Sequence, residues 1–173
     1  PSTVTDVSAN TVSLNGEQRN RGLDLNIAGE LVHGLHVTGG LMLLDPRLTK
    51  TQGGATNGWK AAGTSSVNFN MGLNYDVPWV KGLSLTSDVI YTSSEYIDTT
   101  APRRKIPGWV RLDMGTRYAM KNPASETGKI TLYLNVDNVT NERYWNSGGS
   151  GSSASLLTLG MPRTFRFAVA ADF

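Results

Sequence analysis

From Asn20 onward the chain repeats one pattern: apolar and polar residues alternate for about ten positions, break at a cluster of turn formers, and start again. The last repeat is the sharpest. Phe165, Phe167, Val169, Ala171 and Phe173 share one parity, while Thr164, Arg166, Ala168, Ala170 and Asp172 share the other. Successive side chains of a strand point to opposite faces, so one face here is apolar and the other carries a cation and an anion. The same reading predicts strands over Asn20 to Glu30, Leu35 to Leu44, Val67 to Asp76, Leu83 to Thr92, Val110 to Tyr118 and Ile130 to Asp137. Val12 and Leu14 hint at an eighth, ending at Asn15-Gly16. Residues 1 to 11, rich in Ser, Thr and Asn, predict nothing definite.

No helical period occurs anywhere, so the fold class is all-β and antiparallel. The connections alternate in length. Those near Val32, Pro78 and Pro123 are short; those over Asp45 to Lys60, Ser93 to Lys105 and Asn141 to Ser155 are long and rich in Gly, Pro and Ser. If the C-terminus lies on the periplasmic side, every short connection falls there and every long one outside, as in outer-membrane β-barrels. Strands of about ten residues tilted near 40° cover an apolar band roughly 25 Å tall, which suits such a barrel. Alternation by itself leaves two readings open. In a soluble barrel or sandwich the apolar rows form a dry core; in a membrane they face lipid. Aromatics near strand ends (Tyr75, Trp79, Tyr91, Trp109, Tyr118, Phe173), the length of the strands and the aromatic terminus favour lipid.

Composition narrows the function. The 173 residues contain 19 Gly and only 17% charged residues, as turn-rich β-proteins do. The absence of Cys excludes disulfides, thiol nucleophiles and Cys-ligated metals. A net charge of +2 gives no footprint for nucleic acid. No Ser/His/Asp order suggests a nucleophile, and the two histidines, His33 and His36, flank a short turn and point to opposite faces, so the chain is expected not to be an enzyme and to hold no metal. With Pro1 in place of an initiator Met, the chain is expected to be processed or part of a longer one.

A group of ordered motifs then resembles a known family. Ile106-Pro107-Gly108-Trp109 with Asp113 and Tyr118, Asn138-Val139-Thr140-Asn141-Glu142-Arg143-Tyr144, and Gly160-Met161-Pro162-Arg163 before a terminal aromatic strand are similar to the end of TonB-dependent outer-membrane receptors, nearest to siderophore receptors of the ferrichrome type. Gly22-Leu23-Asp24-Leu25 resembles that family's G-x-E-x strand, with Asp in the Glu position; Asn141 stands where Asp is commoner. The resemblance implies the last seven or eight strands of a 22-stranded transmembrane β-barrel, residues 1–173 forming its C-terminal part and the plug domain lying outside this chain. It implies energy-coupled uptake of a ferric siderophore as transported ligand, with no resident cofactor. The implied partners are outer-membrane lipid, the ferric siderophore, the plug of the same receptor and, through the plug, TonB; the location is the bacterial outer membrane. A self-contained eight-stranded barrel with a structural or adhesive role is the alternative, although eight strands leave a lumen wide enough only for side chains. Ligand contacts are expected from the outer loops: Tyr96, Arg103 and Arg104 (with Lys105) in one, Trp59 and Lys60 in another, Tyr144 and Trp145 at the base of the third, since aromatic and cationic groups suit an iron chelate. Arg111, Asp113, Arg117, Asp137, Arg163 and Arg166 are expected on the lumen- or plug-facing side, where strand-to-strand pairing is one role and plug contact another.

Overall fold

The computed structural model describes residues 2–6, 11–99, 101–124, 127–148 and 157–172. Eight strands form one antiparallel sheet in the order β1 (Ser2–Asp6), β2 (Thr11–Val32), β3 (Leu35–Lys50), β4 (Val67–Asp76), β5 (Leu83–Thr92), β8 (Trp109–Lys121), β9 (Lys129–Asp137) and β12 (Thr164–Ala171). Two small hairpins rise from the long connections: β6 (Glu95–Tyr96) with β7 (Lys105–Ile106), and β10 (Trp145–Gly148) with β11 (Leu157–Leu159). Every large-sheet pairing joins strands adjacent in chain order once these hairpins are set aside. Among the described residues β1 and β12 do not pair with each other, so the sheet is an open strip of barrel wall.

The register shows why the strip is a membrane wall. Directly paired residues share a face, and the pairs Leu23↔Leu43, Leu25↔Leu41, Leu41↔Phe69, Phe69↔Tyr91, Val89↔Leu112, Met114↔Val136, Leu134↔Phe167 and Leu132↔Val169 carry one apolar surface across seven strands. These side chains are not in a core: Phe165 is 69% and Phe167 68% exposed, and Leu23, Leu25, Ile27, Val110 and Leu134 are exposed as well. A continuous apolar surface of this extent needs lipid against it. On β8 the band runs from Val110 to Met120, about 34 Å along the strand and about 26 Å along the membrane normal at a tilt near 40°, close to the height of an outer-membrane apolar band. Tyr75 and Trp79 mark its lower edge, with ring centroids 6.5 Å apart in an edge-on contact and Trp79 77% exposed.

Four expectations need correction. Asn15-Gly16 is not a turn but lies within β2, with Gly16 paired to Ser2, and the extra strand is β1, in the stretch that predicted nothing. Asp45 to Lys60 is not all loop: β3 continues through Pro46 to Lys50, paired to Glu17–Arg21 of β2. Above Leu23 and Leu43 the ladder has left the apolar band and both its faces are wet, so the apolar alternation that marks a strand disappears while the hydrogen bonding goes on. Trp109 is not on the lipid side; it pairs with Thr92, in the row of Arg111 and Asp113. The expected strand position of Phe173, the β1–β2 connection over 7–10 and the glycine-rich tip over 149–156 lie outside the described residues.

Placing Arg at Leu134, near mid-band, is expected to cost about 2–4 kcal/mol in guanidinium unfolding of the parent protein in lipid vesicles, whereas Arg at Asn70 on the opposite face changes stability by less than about 0.5 kcal/mol. Equal effects at the two positions would reverse the assignment of faces.

Candidate functional site

The polar face collects the ionisable groups. Asp88 of β5 stands directly opposite Asp113 of β8, two like charges that repel at this spacing. Arg111 holds Asp113: its Nε and Nη2 donate to Asp113 Oδ2 at 3.1 and 2.9 Å, and its Nη1 donates to the Tyr144 hydroxyl at 3.3 Å. Toward the short-turn end, the Ser84 hydroxyl donates to Asp76 Oδ1 at 2.6 Å and accepts from Arg117 Nη2 at 3.0 Å. These residues, with Thr131 and Tyr133, line an open hollow of about 410 Å³. Beside β12, Arg166 Nη2 donates to Asp137 Oδ1 at 2.6 Å.

At the upper end of this face one asparagine ties the last long loop to the wall. Asn138 is 0% exposed and sits at φ 54°, a left-handed conformation that Asn tolerates because its short side chain bonds locally. Its backbone N–H donates to Asp113 Oδ1 at 2.7 Å. Its Oδ1 accepts the Glu142 N–H at 2.8 Å, and its Nδ2 donates to the carbonyls of Glu142 and Met161, both at 2.9 Å. Both arms of the loop are therefore held by one side chain. The turn that follows delivers Tyr144 beneath Trp109, ring centroids 4.2 Å apart and planes tilted by 30°. Gly160 closes the stack from the other side: its N–H donates to the Tyr144 carbonyl at 2.9 Å, and a Cβ there would enter the tyrosine ring.

The other two long connections pack on each other. Asp98, nearly buried, is clasped by Arg104: the Arg104 N–H and Nε donate to Oδ2 at 2.7 and 2.9 Å, and Nη2 donates to Oδ1 at 2.8 Å. The guanidinium and then the backbone N–H of Arg104 hold this carboxyl at about 2, below its ordinary 3.8. Arg103 lies over Tyr96 at 3.8 Å and Trp59 at 4.9 Å from the ring centroids, and donates to the Lys60 and Asp98 carbonyls. Lys105 lies 4.5 Å from the same Tyr96 ring. The isolated bridge Arg47↔Lys60 stitches the first of these connections to β3, and Ala62↔Tyr96 joins it to β6 in the second.

Comparison with known proteins now adds identity. A family model described as TonB dependent receptor-like, beta-barrel, matches residues 1–139. The chain belongs to the TonB-dependent receptor β-barrel family. It is 39% identical, over all 173 residues, to the ferrichrome receptor FcuA of Yersinia enterocolitica, of which it covers 22%. Among solved structures it superposes on the ferric preacinetobactin receptor BauA of Acinetobacter baumannii with a TM-score of 0.85 and 33% identity, covering 100% of this chain and 26% of that one. The siderophore receptor PiuA of the same organism shares the fold, with a TM-score of 0.73 at 24% identity. The chain thus spans about a quarter or less of the relatives it matches, and its strands are part of an outer-membrane barrel.

Within this receptor barrel the residues singled out from sequence fall into distinct places. Arg111, Asp113, Arg117, Asp137 and Arg166 all lie on the polar face. Their pairing is partly along one strand (Arg111 with Asp113) and partly between strands (Arg166 with Asp137, Arg117 with Asp76). Arg163 differs: it precedes β12, its backbone N–H donates to Asn141 Oδ1 at 3.2 Å, and nothing in the ladder puts its side chain on the polar face. Tyr144 is 6% exposed and part of the wall, while Trp145 begins β10 and is half-buried. Tyr96 is drawn to the side of Arg47 and Lys60, because its bridge partner Ala62 follows their row, and Arg104, just before β7, is held by Asp98. Trp109, expected at the membrane interface, and Asn138 and Gly160, which entered only as motif residues, together build this corner. Parity carried one residue back from Val110 puts Trp109 on the face of Arg111, and an Asn just after a strand is the usual sign of a left-handed corner.

Two measurements check these assignments. Asn138→Ala is expected to destabilise the parent receptor by about 2–3 kcal/mol, since it strands buried backbone groups and forces Ala into positive φ, and Asn138→Gly by less; equal thermal melts for all three proteins would dismiss the corner. Because the folded Asp98 value is the lower one, its clasp stabilises fully above the ordinary carboxylate range and fades as pH falls from about 4 to about 2. Hydrogen exchange at the Ile97 and Arg104 amides, corrected for intrinsic rate, should lose protection across that window and show no such step in Asp98→Asn; flat protection in the unaltered protein contradicts the clasp.

Proposed function

We propose that this chain supplies the closing part of the barrel wall of a receptor that takes up a ferric siderophore, with a plug and a TonB contact provided by the rest of that receptor. The observation that carries the reading is 39% identity over the whole chain to a ferrichrome receptor. The alternative of a self-closing eight-stranded barrel finds no support in the sheet, whose two edges stay apart. An edge left open in lipid has unpaired N–H and C=O groups at several kcal/mol each, so further strands belong at both sides. The protein acts as a receptor, and its transported ligand is an iron chelate, not a resident cofactor.

In this reading the polar face is the inner wall. Arg111, Asp113, Arg117, Asp137 and Arg166 then meet the plug and the wet lumen, and their mutual pairing keeps the wall rigid while the plug moves. Arg104 is the best-placed loop group for an anionic or carbonyl-rich chelate: Asp98 fixes its guanidinium, and the side chain stays 63% exposed. Trp145 stands at the base of the last loop beside it in function; Tyr144 supports from beneath. Tyr96 and Arg103 hold the two-loop cap together from the outside and contribute by shaping it.

In an iron-starved host without its own hydroxamate receptors, the parent protein is expected to restore TonB-dependent uptake of radioactive ferric hydroxamate. Arg104→Ala should weaken ligand binding about tenfold, the loss of one charge-assisted hydrogen bond of roughly 1.4 kcal/mol. Absence of uptake with both hydroxamate and catecholate chelates would remove the receptor reading; unchanged affinity in the variant would remove Arg104 alone.

A further inference from the structure

We propose that Arg111 is a positioning residue for the last outer loop: from the inner wall it holds the base of that loop through Tyr144, and Asp88 competes for it. The proposal rests on the receptor reading, in which the polar face lines the lumen and the last loop presents Trp145 to the ligand. Its basis is one guanidinium shared between wall and loop. Arg111 stands near the outer end of β8, anchored on Asp113 Oδ2 by Nε and Nη2 at 3.1 and 2.9 Å. That anchor turns Nη1 to the Tyr144 hydroxyl, to which it donates at 3.3 Å.

Tyr144 is the point through which the wall grips the loop. Trp109 stacks on its ring at 4.2 Å, Gly160 lies against the ring as well, and the Gly160 N–H donates to the Tyr144 carbonyl at 2.9 Å. At 6% exposure the phenol is out of water, where a hydroxyl needs a partner, and Arg111 supplies it. Trp145 follows directly and opens the β10–β11 hairpin, paired with Leu159 beside the Gly160–Tyr144 bond. A shift of the Tyr144 ring is therefore passed to both arms of the loop and to Trp145.

The wall offers Arg111 a second carboxylate. Asp88 is directly opposite Asp113 and Ile90 directly opposite Arg111, which makes Asp88 the diagonal neighbour of Arg111. Diagonal Cβ atoms across a ladder are about 7 Å apart, within the span of an arginine side chain. Among the described residues Asp88 has no ion pair or hydrogen bond of its own. The other charges near the corner are accounted for. Asp137 takes Arg166 at 2.6 Å, Glu142 enters through its backbone N–H and carbonyl, and the side chains of Glu142 and Arg143 are exposed. One guanidinium thus stands between two like charges on adjacent strands. On Asp113 it draws the loop base onto the wall; drawn to Asp88, it strands the Tyr144 hydroxyl and the base loosens.

The test follows the Gly160 amide by hydrogen exchange in the purified parent receptor in dodecyl maltoside, with ferric hydroxamate binding measured on the same preparations. Tyr144→Phe keeps the stack and removes only the hydroxyl, and is expected to speed exchange about threefold; Arg111→Gln, which also strands that hydroxyl, about tenfold. Because both act through one bond, the combined variant exchanges no faster than Arg111→Gln alone. Asp88→Asn removes the competitor and is expected to slow exchange about threefold, a change that a purely structural role for Arg111 does not produce. Affinity for ferric hydroxamate should fall about threefold in Tyr144→Phe, while Lys121→Gln, at the far end of the same strand and face, moves neither measurement. Multiplicative effects in the combined variant, unchanged or faster exchange in Asp88→Asn, unchanged affinity in Tyr144→Phe, or the same shifts in Lys121→Gln overturn the proposal. Should Arg111→Gln fail to fold, Tyr144→Phe and Asp88→Asn still decide it by moving exchange in opposite directions. An unaltered receptor that binds no ferric chelate removes the receptor reading instead, and the exchange rates then judge the grip on the loop by themselves.

Discussion

Everything in this wall depends on the rule that a peptide group inside hydrocarbon must find its hydrogen-bond partner within the protein. A strand cannot satisfy itself, so each must lie beside another along its whole buried length. The ladders from β2 through β12 do this, and once they are in place the side-chain period of two leaves no freedom: one set of residues faces lipid and the other does not. The charged groups sit where they do because the alternative row is closed to them. Arg111, Asp113 and Arg117 neutralise one another or nearby carboxylates on the wet side, and the same row admits Gly72 and Gly115, above which the Asp88 and Asn135 side chains lie across the sheet.

That rule also explains how far the amino-acid sequence could be read. Seven strands are legible because the bilayer imposes an apolar/polar alternation on each of them. Where the bilayer ends, so does the signal. Glu17 to Arg19 and Asp45 to Lys50 are paired strands, yet they carry no apolar alternation and were not legible as strand, and Asn15-Gly16 reads as a turn although the ladder runs through it. Ser2–Asp6 has too few apolar residues to declare a strand at all. The polar wall residues were legible by parity, which extends to Trp109 once its aromatic character is not taken as a sign of the interface. Arg163 lies one position before β12, where parity has no force.

The loop chemistry was legible only as residue types. Aromatic and cationic residues are abundant in Asp45 to Lys60 and Ser93 to Lys105, but which of them meet depends on the bridges between the two connections. Arg103 between Tyr96 and Trp59, and Arg104 on Asp98, are products of that packing, and nothing in the linear order foretells them. Asn138 is an intermediate case. A positive-φ corner is predictable for an Asn after a strand, whereas its hold on Glu142 and Met161 requires the loop to return.

The order of the strands has a kinetic side. Each ladder joins segments that follow one another along the chain, separated by tight reversals or by longer connections, two of which carry small hairpins. Low sequence separation between partners means little loop-closure entropy opposes each addition, so the strip can grow hairpin by hairpin. The slow step of assembly is then confined to the seams at its two margins, where strands distant in the chain must find each other.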